Sequence, residues 1–300
     1  MSSPPLEKMN KYIEDKCPLV RSVLVIRHGY IVFEKYYEGD SNYNKHIFSA
    51  TKSFISALIG IALDKGYINN LDQKMFSFFP EYTSEITDPR VKEITIRDLL
   101  TMSAGFASSF QGPGDLKSSF FQPIVTDPGT HSAYNSGESY LLSGIISKTT
   151  KMNSLEFGYE HLFKPLGIQK PEWGSGPDGY TIGGYGLHLR TRDMAKLGYL
   201  YLKNGVWDGK QIVPKEWVKE STRKQVMINV GQKTIPYGYQ WWIIAPNGHF
   251  AFCAIGLGGQ YITVIPDLDI VIAVTSDSMS VKPQHQGVVP SFVIPSVQKK

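Results

Sequence analysis

Hydrophobic runs predict β-strands at both ends of the chain. Near the start, two apolar runs flank the pair His28-Gly29, which predicts a β-hairpin over residues 22–37. Four further strands are predicted in the last third of the sequence, over 238–244, 250–255, 261–265 and 270–275. Because antiparallel strands from opposite ends of a chain can pair, we expect both sets of strands to share one sheet.

Between these strands the hydrophobic pattern indicates helices. Residues 48–65 are apolar on too many faces for a surface helix, which predicts a buried helix ending at Gly66. Three further helices are predicted over 95–102, 137–148 and 191–204. The fold class is therefore α+β.

The order of these elements predicts two lobes. Residues 1–66 and 190–300 form an α/β sheet lobe, in which the antiparallel sheet is flanked by helices, and residues 67–189 form an inserted, mostly helical lobe. We expect the active site to lie in the cleft between the two lobes.

Composition narrows the function classes. The 300 residues include 31 basic and 27 acidic ones, spread along the chain, so the net charge of +4 gives no basic stripe for a nucleic acid. Residues 1–16 are charged and lack the apolar core of a secretory signal, and no apolar run is long enough to span a bilayer. We expect a cytoplasmic protein that binds a small molecule and neither nucleic acid nor membrane; the oligomeric state stays open.

Cysteine and histidine spacing gives no sign of a metal. Cys17 and Cys253 are far apart, which predicts two reduced structural thiols, and no metal-ligand spacing of Cys and His occurs. His188 has no acidic partner nearby in sequence, so a structural role is expected for it. No cofactor is predicted.

One polar pair stands at the start of the buried helix. Ser49 and Lys52 are three residues apart, hence on one face of the first turn. The helix N-terminus favours an oxyanion there, and burial of the lysine disfavours its charged form and makes it a usable base. The Ser-x-x-Lys spacing occurs twice more, in polar or terminal stretches. The pattern alone is equally compatible with a capping serine and a solvated lysine.

Two later segments add polar chemistry. Tyr134-Asn135-Ser136 stands just ahead of an apolar helical run, and Gly256-Leu257-Gly258-Gly259-Gln260 stands between two predicted strands. Glycines on a strand edge let backbone N–H groups approach a substrate closely. The alternatives are a core tyrosine with a satisfied hydroxyl and a tight hairpin turn.

In this order, the three segments resemble the serine β-lactamase and penicillin-binding-protein superfamily. Segments 96–105, 192–198 and 237–242 resemble its esterase and 6-aminohexanoate-dimer hydrolase branch, so the likeness extends from about residue 20 to about residue 280. The resemblance implies a β-lactamase/transpeptidase-like fold and an acyl-enzyme mechanism.

The resemblance also implies roles for individual residues. Ser49 would be the nucleophile, and Lys52 and Tyr134 would manage the protons, with either one as the general base. The backbone N–H groups of Ser49 and Leu257 would form the oxyanion hole. The residues expected to support the site are Ser136, Gly256, Gly258 and Gln260. Of Trp241 and Trp242, one would face the core and the other is a candidate substrate wall.

Two departures from the family pattern bear on the substrate. Ser136 stands where many relatives have Asn, so a hydrogen-bonding side chain is kept with a shorter reach. Ala254-Ile255-Gly256 stands where β-lactam binders have Lys-Thr-Gly or His-Thr-Gly, so the anchor for a carboxylate is missing. A carboxylesterase or amidase acting on a small ester or amide is therefore favoured. The alternatives are a catalytically weak β-lactam- or peptide-binding relative and a true β-lactamase.

Overall fold

A computed structural model describes residues 3–297 except for 110, 111, 113, 231, 232 and 278–286. Its α-helices are α1 (Ser3–Lys16), α2 (Thr51–Asp64), α3 (Ile96–Leu100), α4 (Leu116–Phe120), α5 (Ser136–Thr150), α6 (Ser154–Gly158), α7 (Thr191–Leu202) and α8 (Lys215–Ser221). Its strands are β1 (Val20–Arg27), β2 (Tyr30–Tyr36), β3 (Lys45–His46), β4 (His188–Leu189), β5 (Val206–Trp207), β6 (Lys210–Gln211), β7 (Val226–Val230), β8 (Lys233–Tyr237), β9 (Trp242–Ile244), β10 (Ala251–Gly256), β11 (Gln260–Ile265) and β12 (Ile270–Ser276). The predicted α+β class is confirmed.

The contacts divide the chain into two compact units. The sheet unit comprises Met1–Ala50, His188–Lys203 and Ile244–Lys300, and the helical unit comprises Thr51–Leu187 and Asn204–Ile243. The predicted lobes placed α2 and residues 204–243 with the sheet instead. For α2 the difference arises because this helix is apolar on nearly all faces and packs against α5, α6 and α8 of the helical unit.

The sheet unit joins the two ends of the chain. Its strands run in the order β2-β1-β12-β11-β10, and β1 pairs antiparallel with β12, with Val23 opposite Val274. The predicted hairpin is confirmed, since β1 and β2 pair around His28 and Gly29, both at positive φ. The shared sheet predicted from the two sets of strands is thus present.

Helices cover both faces of this sheet. A Cβ on Gly198 of α7 would lie 2.5 Å from Val271, so this helix packs closely on one face. Ile272 follows Val271 in β12, so its side chain points to the opposite face of the sheet. There it belongs to the core cluster that contains Met9 and Ile13 of α1. Helix α1 was not predicted, although its apolar residues follow helical spacing.

The helical unit is built around α2, whose residues from Thr51 to Ala62 are all buried. Strands β7 and β8 and the first two residues of β9 also belong here, and β8 pairs with β9 through Tyr237 and Trp242. The predicted strand over 238–244 is therefore wrong in its first half, where residues 238–241 form a turn. Gly238 N–H donates to the carbonyl of Trp241 at 2.8 Å, and a Cβ on Gly238 would lie 2.1 Å from the Ser221 carbonyl oxygen.

Candidate functional site

Ser49 lies in a 3-10 turn, Phe48–Ala50, that leads directly into α2. Phe48 has a φ of 47°, a left-handed conformation that is uncommon for a residue other than glycine. The Ala50 N–H donates to the carbonyl of Ile47 at 3.1 Å, and the turn packs against β10 and β11 within the sheet unit. Ser49 is thus held at the start of the helix, as predicted, in a turn rather than in the helix itself.

The strands β10 and β11 end in a hairpin that contains the predicted glycines. Gly256 pairs with Gln260, and the connection is Leu257-Gly258-Gly259, in which both glycines have positive φ, 82° and 98°. The tight-turn alternative is correct for these two glycines. Gly256 differs from them, because a Cβ there would lie 2.1 Å from the Ile47 carbonyl oxygen, two residues before Ser49. Its lack of a side chain permits a close backbone approach to the segment that carries Ser49.

Gln260 holds the turn from inside the sheet. Its fully buried side chain donates to the Ser276 carbonyl at 2.5 Å and to the Leu257 carbonyl at 3.4 Å, and it accepts from Ser276 N–H at 3.3 Å. The side chain of Leu257 is 45% exposed. Gln260 therefore fixes the position of residue 257 relative to β12.

Lys52 lies in a buried polar pocket of the helical unit. Its side chain is buried, and Nζ donates to Ser136 Oγ at 2.9 Å and to the Gly184 carbonyl at 2.7 Å. The centroid of the Tyr134 ring lies 4.9 Å from Nζ. Burial lowers the pKa of Lys52 to about 7, so much of it is neutral at physiological pH. The alternative of a solvated lysine is wrong.

Gly184 is a part of this pocket that the sequence analysis missed. A Cβ there would lie 3.0 Å from Ser136 Cβ and 3.3 Å from Lys52 Nζ, closer than an ordinary contact. The residue thus supplies a carbonyl to Lys52 and, having no side chain, leaves room for the Lys52 amine. The only signal in the sequence is the pair Gly183-Gly184, which is weak.

The segment Tyr134-Asn135-Ser136 is fixed from both sides. The Tyr134 carbonyl accepts from Ser109 N–H at 2.9 Å, and Asn135 caps α5 by accepting from Gly137 N–H at 2.8 Å. Tyr134 is buried, and its ring stacks on Trp242 with centroids 5.8 Å apart. Ser136 begins α5, so the hydroxyl that contacts Lys52 is held by the first turn of a helix.

The two tryptophans lie in different environments. Trp241 is fully buried, whereas Trp242 is partly exposed and stacks on Tyr134. The expected alternation of a strand does not apply to the pair, because Trp241 lies in the turn before β9. Trp242 is the one of the two that remains a candidate substrate wall.

Further titratable groups lie outside the predicted site. Glu138, in the first turn of α5, is fully buried, and burial raises the pKa of its carboxyl well above the usual range. The ring of His188 stacks on that of His46 with centroids 4.8 Å apart. Burial of His46, and secondly the charge of the neighbouring His188, lower the pKa of His46 to about 4. Burial raises the pKa of Cys253 to about 12, which fits an unreactive thiol.

Within the residues that the structure describes, no helix is long and apolar enough to cross a membrane. In the same residues, no group of three or more His, Cys, Asp or Glu side chains is arranged to hold a metal ion.

Comparisons with known proteins give a family and a fold. The sequence profile of the family described as Beta-lactamase matches residues 21–287. An uncharacterized protein of Alkalihalophilus pseudofirmus is 26% identical over 291 residues, covering 83% of this chain and 81% of that protein. The 6-aminohexanoate-dimer hydrolase of Paenarthrobacter ureafaciens is 23% identical over 299 residues, covering 89% of this chain and 74% of the enzyme.

Solved structures share the fold. A family VIII carboxylesterase superposes with a TM-score of 0.78 at 15% identity, and the match covers 98% of this chain and 98% of the esterase. At this identity the match shows the fold alone.

Proposed function

This chain belongs to the beta-lactamase family, and from that premise we propose that it is a serine hydrolase that cleaves esters or small amides through an acyl-enzyme on Ser49. The observation that carries the proposal is the buried Lys52, one helical turn after Ser49, with a pKa of about 7. A solvated lysine would be protonated at neutral pH and would not serve as a base.

The hydrogen bonds of Lys52 support this role. A neutral lysine amine has two N–H groups and one lone pair. The Gly184 carbonyl and Ser136 Oγ take two positions on Nζ. The third position on Nζ is the lone pair, and we assign it to Ser49 Oγ, because residues three apart lie on the same side of a helical turn. The lone pair then accepts the serine proton as Oγ attacks the substrate carbonyl.

The remaining steps follow from that assignment. The N–H groups of Ser49 and Leu257 hold the oxyanion of the tetrahedral intermediate, and each such donor is typically worth about 3 kcal/mol. With Lys52 as the base, its ammonium returns the serine proton through the Tyr134 hydroxyl to the leaving group, whose release leaves the acyl group on Ser49 and Lys52 neutral again. A water molecule then attacks the acyl carbon and gives one proton to the same base, and that proton passes to Ser49 Oγ as the acid product leaves. In the alternative assignment, a Tyr134 phenolate takes the serine proton directly and gives that same proton to the leaving group.

The strand before Leu257 supports a neutral substrate. Cys253, Ala254 and Ile255 carry no cation that could bind a carboxylate, and Ala254 is buried. The names of similar proteins support the same class, since one relative is named for hydrolysis of a 6-aminohexanoate dimer and one solved structure is named a carboxylesterase.

The test is intact-mass spectrometry of the wild type and of Ser49→Ala after treatment with a fluorophosphonate. Hydrolysis of p-nitrophenyl butyrate and of a chromogenic cephalosporin is followed in parallel. Ser221→Ala is the matched control, because Ser221 begins another Ser-x-x-Lys and its hydroxyl donates to the Val218 carbonyl of its own helix at 3.3 Å.

We expect one adduct per chain and ester turnover in the wild type and in Ser221→Ala, and neither in Ser49→Ala. An adduct that persists in Ser49→Ala places the nucleophile elsewhere, and absence of both adduct and turnover in the wild type contradicts the proposal. Faster turnover of the cephalosporin than of the ester favours the β-lactamase alternative.

A further inference from the structure

Gln240 has an unusual backbone for a buried glutamine. It lies in the turn between β8 and β9, is 1% exposed, and has a φ of 62°. Glycine adopts such a φ without strain, whereas a residue with a Cβ does so at a cost. The turn alone therefore gives no reason for a glutamine here, and the contacts of its side chain must offset the backbone cost.

The polar atoms of Gln240 bind three different segments of the helical unit. Nε2 donates to the carbonyls of Leu99 and Leu100 at the end of α3, at 3.1 Å and 3.0 Å. Oε1 accepts from Ser139 Oγ of α5 at 2.7 Å, and the backbone carbonyl accepts from Ser53 Oγ of α2 at 2.7 Å. One residue thus joins α2, α3 and α5 through buried hydrogen bonds.

Two of these contacts adjoin the Lys52 pocket. Ser53 follows Lys52 in α2, and Ser139 lies three residues after Ser136 in α5, on the same side of that helix. The Lys52–Ser136 hydrogen bond joins the same two helices directly, at 2.9 Å. Resting on the function proposed above, we propose that Gln240 is a positioning residue that holds α2 and α5 at the spacing required by the Lys52–Ser136 hydrogen bond.

A wider separation of α2 and α5 would change the protonation state of Lys52. Since burial lowers the pKa of Lys52, entry of water between α2 and α5 would move that pKa upward, toward the ordinary value for lysine. The base would then be protonated over more of the neutral range, and kcat would fall. Because the Lys52–Ser136 hydrogen bond acts on the proposed base, we expect the effect to fall on kcat and KM to change little.

Two variants distinguish the role of the Gln240 side chain from that of its backbone conformation. Gln240→Gly keeps the left-handed backbone and removes the side chain, and Gln240→Met keeps the volume and removes its hydrogen bonds. Asp208→Gly is the matched control, because Asp208 is an exposed turn residue with a φ of 47°. The Lys52 midpoint is measured by NMR titration of protein labelled with ¹³C at lysine Cε, with the resonance assigned through Lys52→Met.

In both Gln240 variants we expect the Lys52 midpoint to rise by about one pH unit. At about pH 6 the neutral fraction of Lys52, and with it kcat for p-nitrophenyl butyrate, should then fall about tenfold, with KM within about twofold. Asp208→Gly should match the wild type. A folded Gln240→Gly or Gln240→Met with an unchanged Lys52 midpoint overturns the proposal, even if its melting temperature is lower.

The NMR titration also separates this inference from the proposed function. If wild-type protein shows neither a Ser49 adduct nor turnover, the hydrolase proposal fails, while a shifted midpoint in the variants still supports the positioning role. If wild-type protein is active and both folded variants retain its kcat and midpoint, the positioning role fails and the hydrolase proposal stands.

Discussion

The Lys52 pocket and the Gly256 hairpin are built in opposite ways. The pocket depends on polar groups that are present, namely the Lys52 amine, the Ser136 hydroxyl and the Gly184 carbonyl, joined by buried hydrogen bonds. The hairpin depends on side chains that are absent, since Gly256 leaves room for the Ile47 carbonyl. Changes in the pocket should therefore alter the proton chemistry, whereas changes in the hairpin should alter the shape of the backbone around Ser49.

The largest effect should come from Lys52→Met, which removes the proposed base and keeps a similar volume. We expect kcat/KM for p-nitrophenyl butyrate to fall by about 10²- to 10⁴-fold, the range typical for a general base. The free energy of unfolding should be unchanged or higher, because an apolar side chain is buried at lower cost than an amine. Urea unfolding alongside kinetics checks both. Activity near that of the wild type would contradict the role of Lys52.

Gly256→Ala probes the hairpin with a single methyl group. Its Cβ would lie 2.1 Å from the Ile47 carbonyl oxygen, so the backbone ahead of Ser49 must move. We expect about a hundredfold loss of kcat/KM, the scale of a displaced catalytic group, and a loss of about 1–3 kcal/mol in unfolding free energy from overpacking. Gly114→Ala is the control, since nothing lies within 4 Å of a Cβ there. Equal behaviour of the two variants would show that the close approach is unimportant.

The Lys52 pocket should also determine how kcat/KM depends on pH. With Lys52 as the base, kcat/KM should rise about tenfold per pH unit below pH 7 and level off above it, because only the neutral amine accepts a proton. A pH profile with no inflection near 7 would assign the base to another group.

The free energy of unfolding should also depend on pH, in the range above the lowered pKa of Lys52. The folded state has a lowered pKa at Lys52, so between about 7 and the ordinary lysine value of about 10.4 the unfolded chain binds more protons. The free energy of unfolding should therefore rise with pH across that window. Lys52→Met should remove this slope, as unfolding titrations would show.

How far the sequence predicts each region depends on whether the signal is local. The hairpin over 22–37 and the buried helix α2 are confirmed, because each rests on a run of neighbouring residues. The turn at residues 238–241 was predicted as strand, since the Ser221 carbonyl that excludes a Cβ from Gly238 is remote in sequence. Helix α1 also has a local signal, since Leu6, Met9 and Ile13 are spaced to lie on one helix face, so its position was predictable from the sequence.

The same distinction applies to the candidate site. The spacing of Ser49 and Lys52 is local and was sufficient to suggest a nucleophile and a base. The acceptor at Gly184 is 132 residues away from Lys52, and a carbonyl oxygen belongs to every residue type, so no pattern could identify it. Gln240 is similar, because its left-handed φ and its three partner segments appear only after folding.

Gly184→Ala should disturb the Lys52 pocket less than Gly256→Ala disturbs the hairpin. Its Cβ would meet Ser136 at 3.0 Å and Lys52 Nζ at 3.3 Å, so the flexible lysine must shift by a few tenths of an ångström. We expect about a tenfold lower kcat, with KM little changed, since a small misplacement of the base is costly. Steady-state kinetics at several pH values checks this. A rise in KM alone would indicate contact with substrate instead.

The smallest effect on chemistry should come from Trp242→Ala. Its ring stacks on Tyr134 and is partly exposed, so as a substrate wall it should contribute mainly to binding. We expect KM for p-nitrophenyl esters to rise a few-fold and kcat to change less. Trp241→Ala is the contrasting variant, because that fully buried side chain should instead cost about 3–5 kcal/mol of unfolding free energy. If Trp242→Ala changes only kcat, the ring acts by holding Tyr134 in place, and the wall must be sought elsewhere.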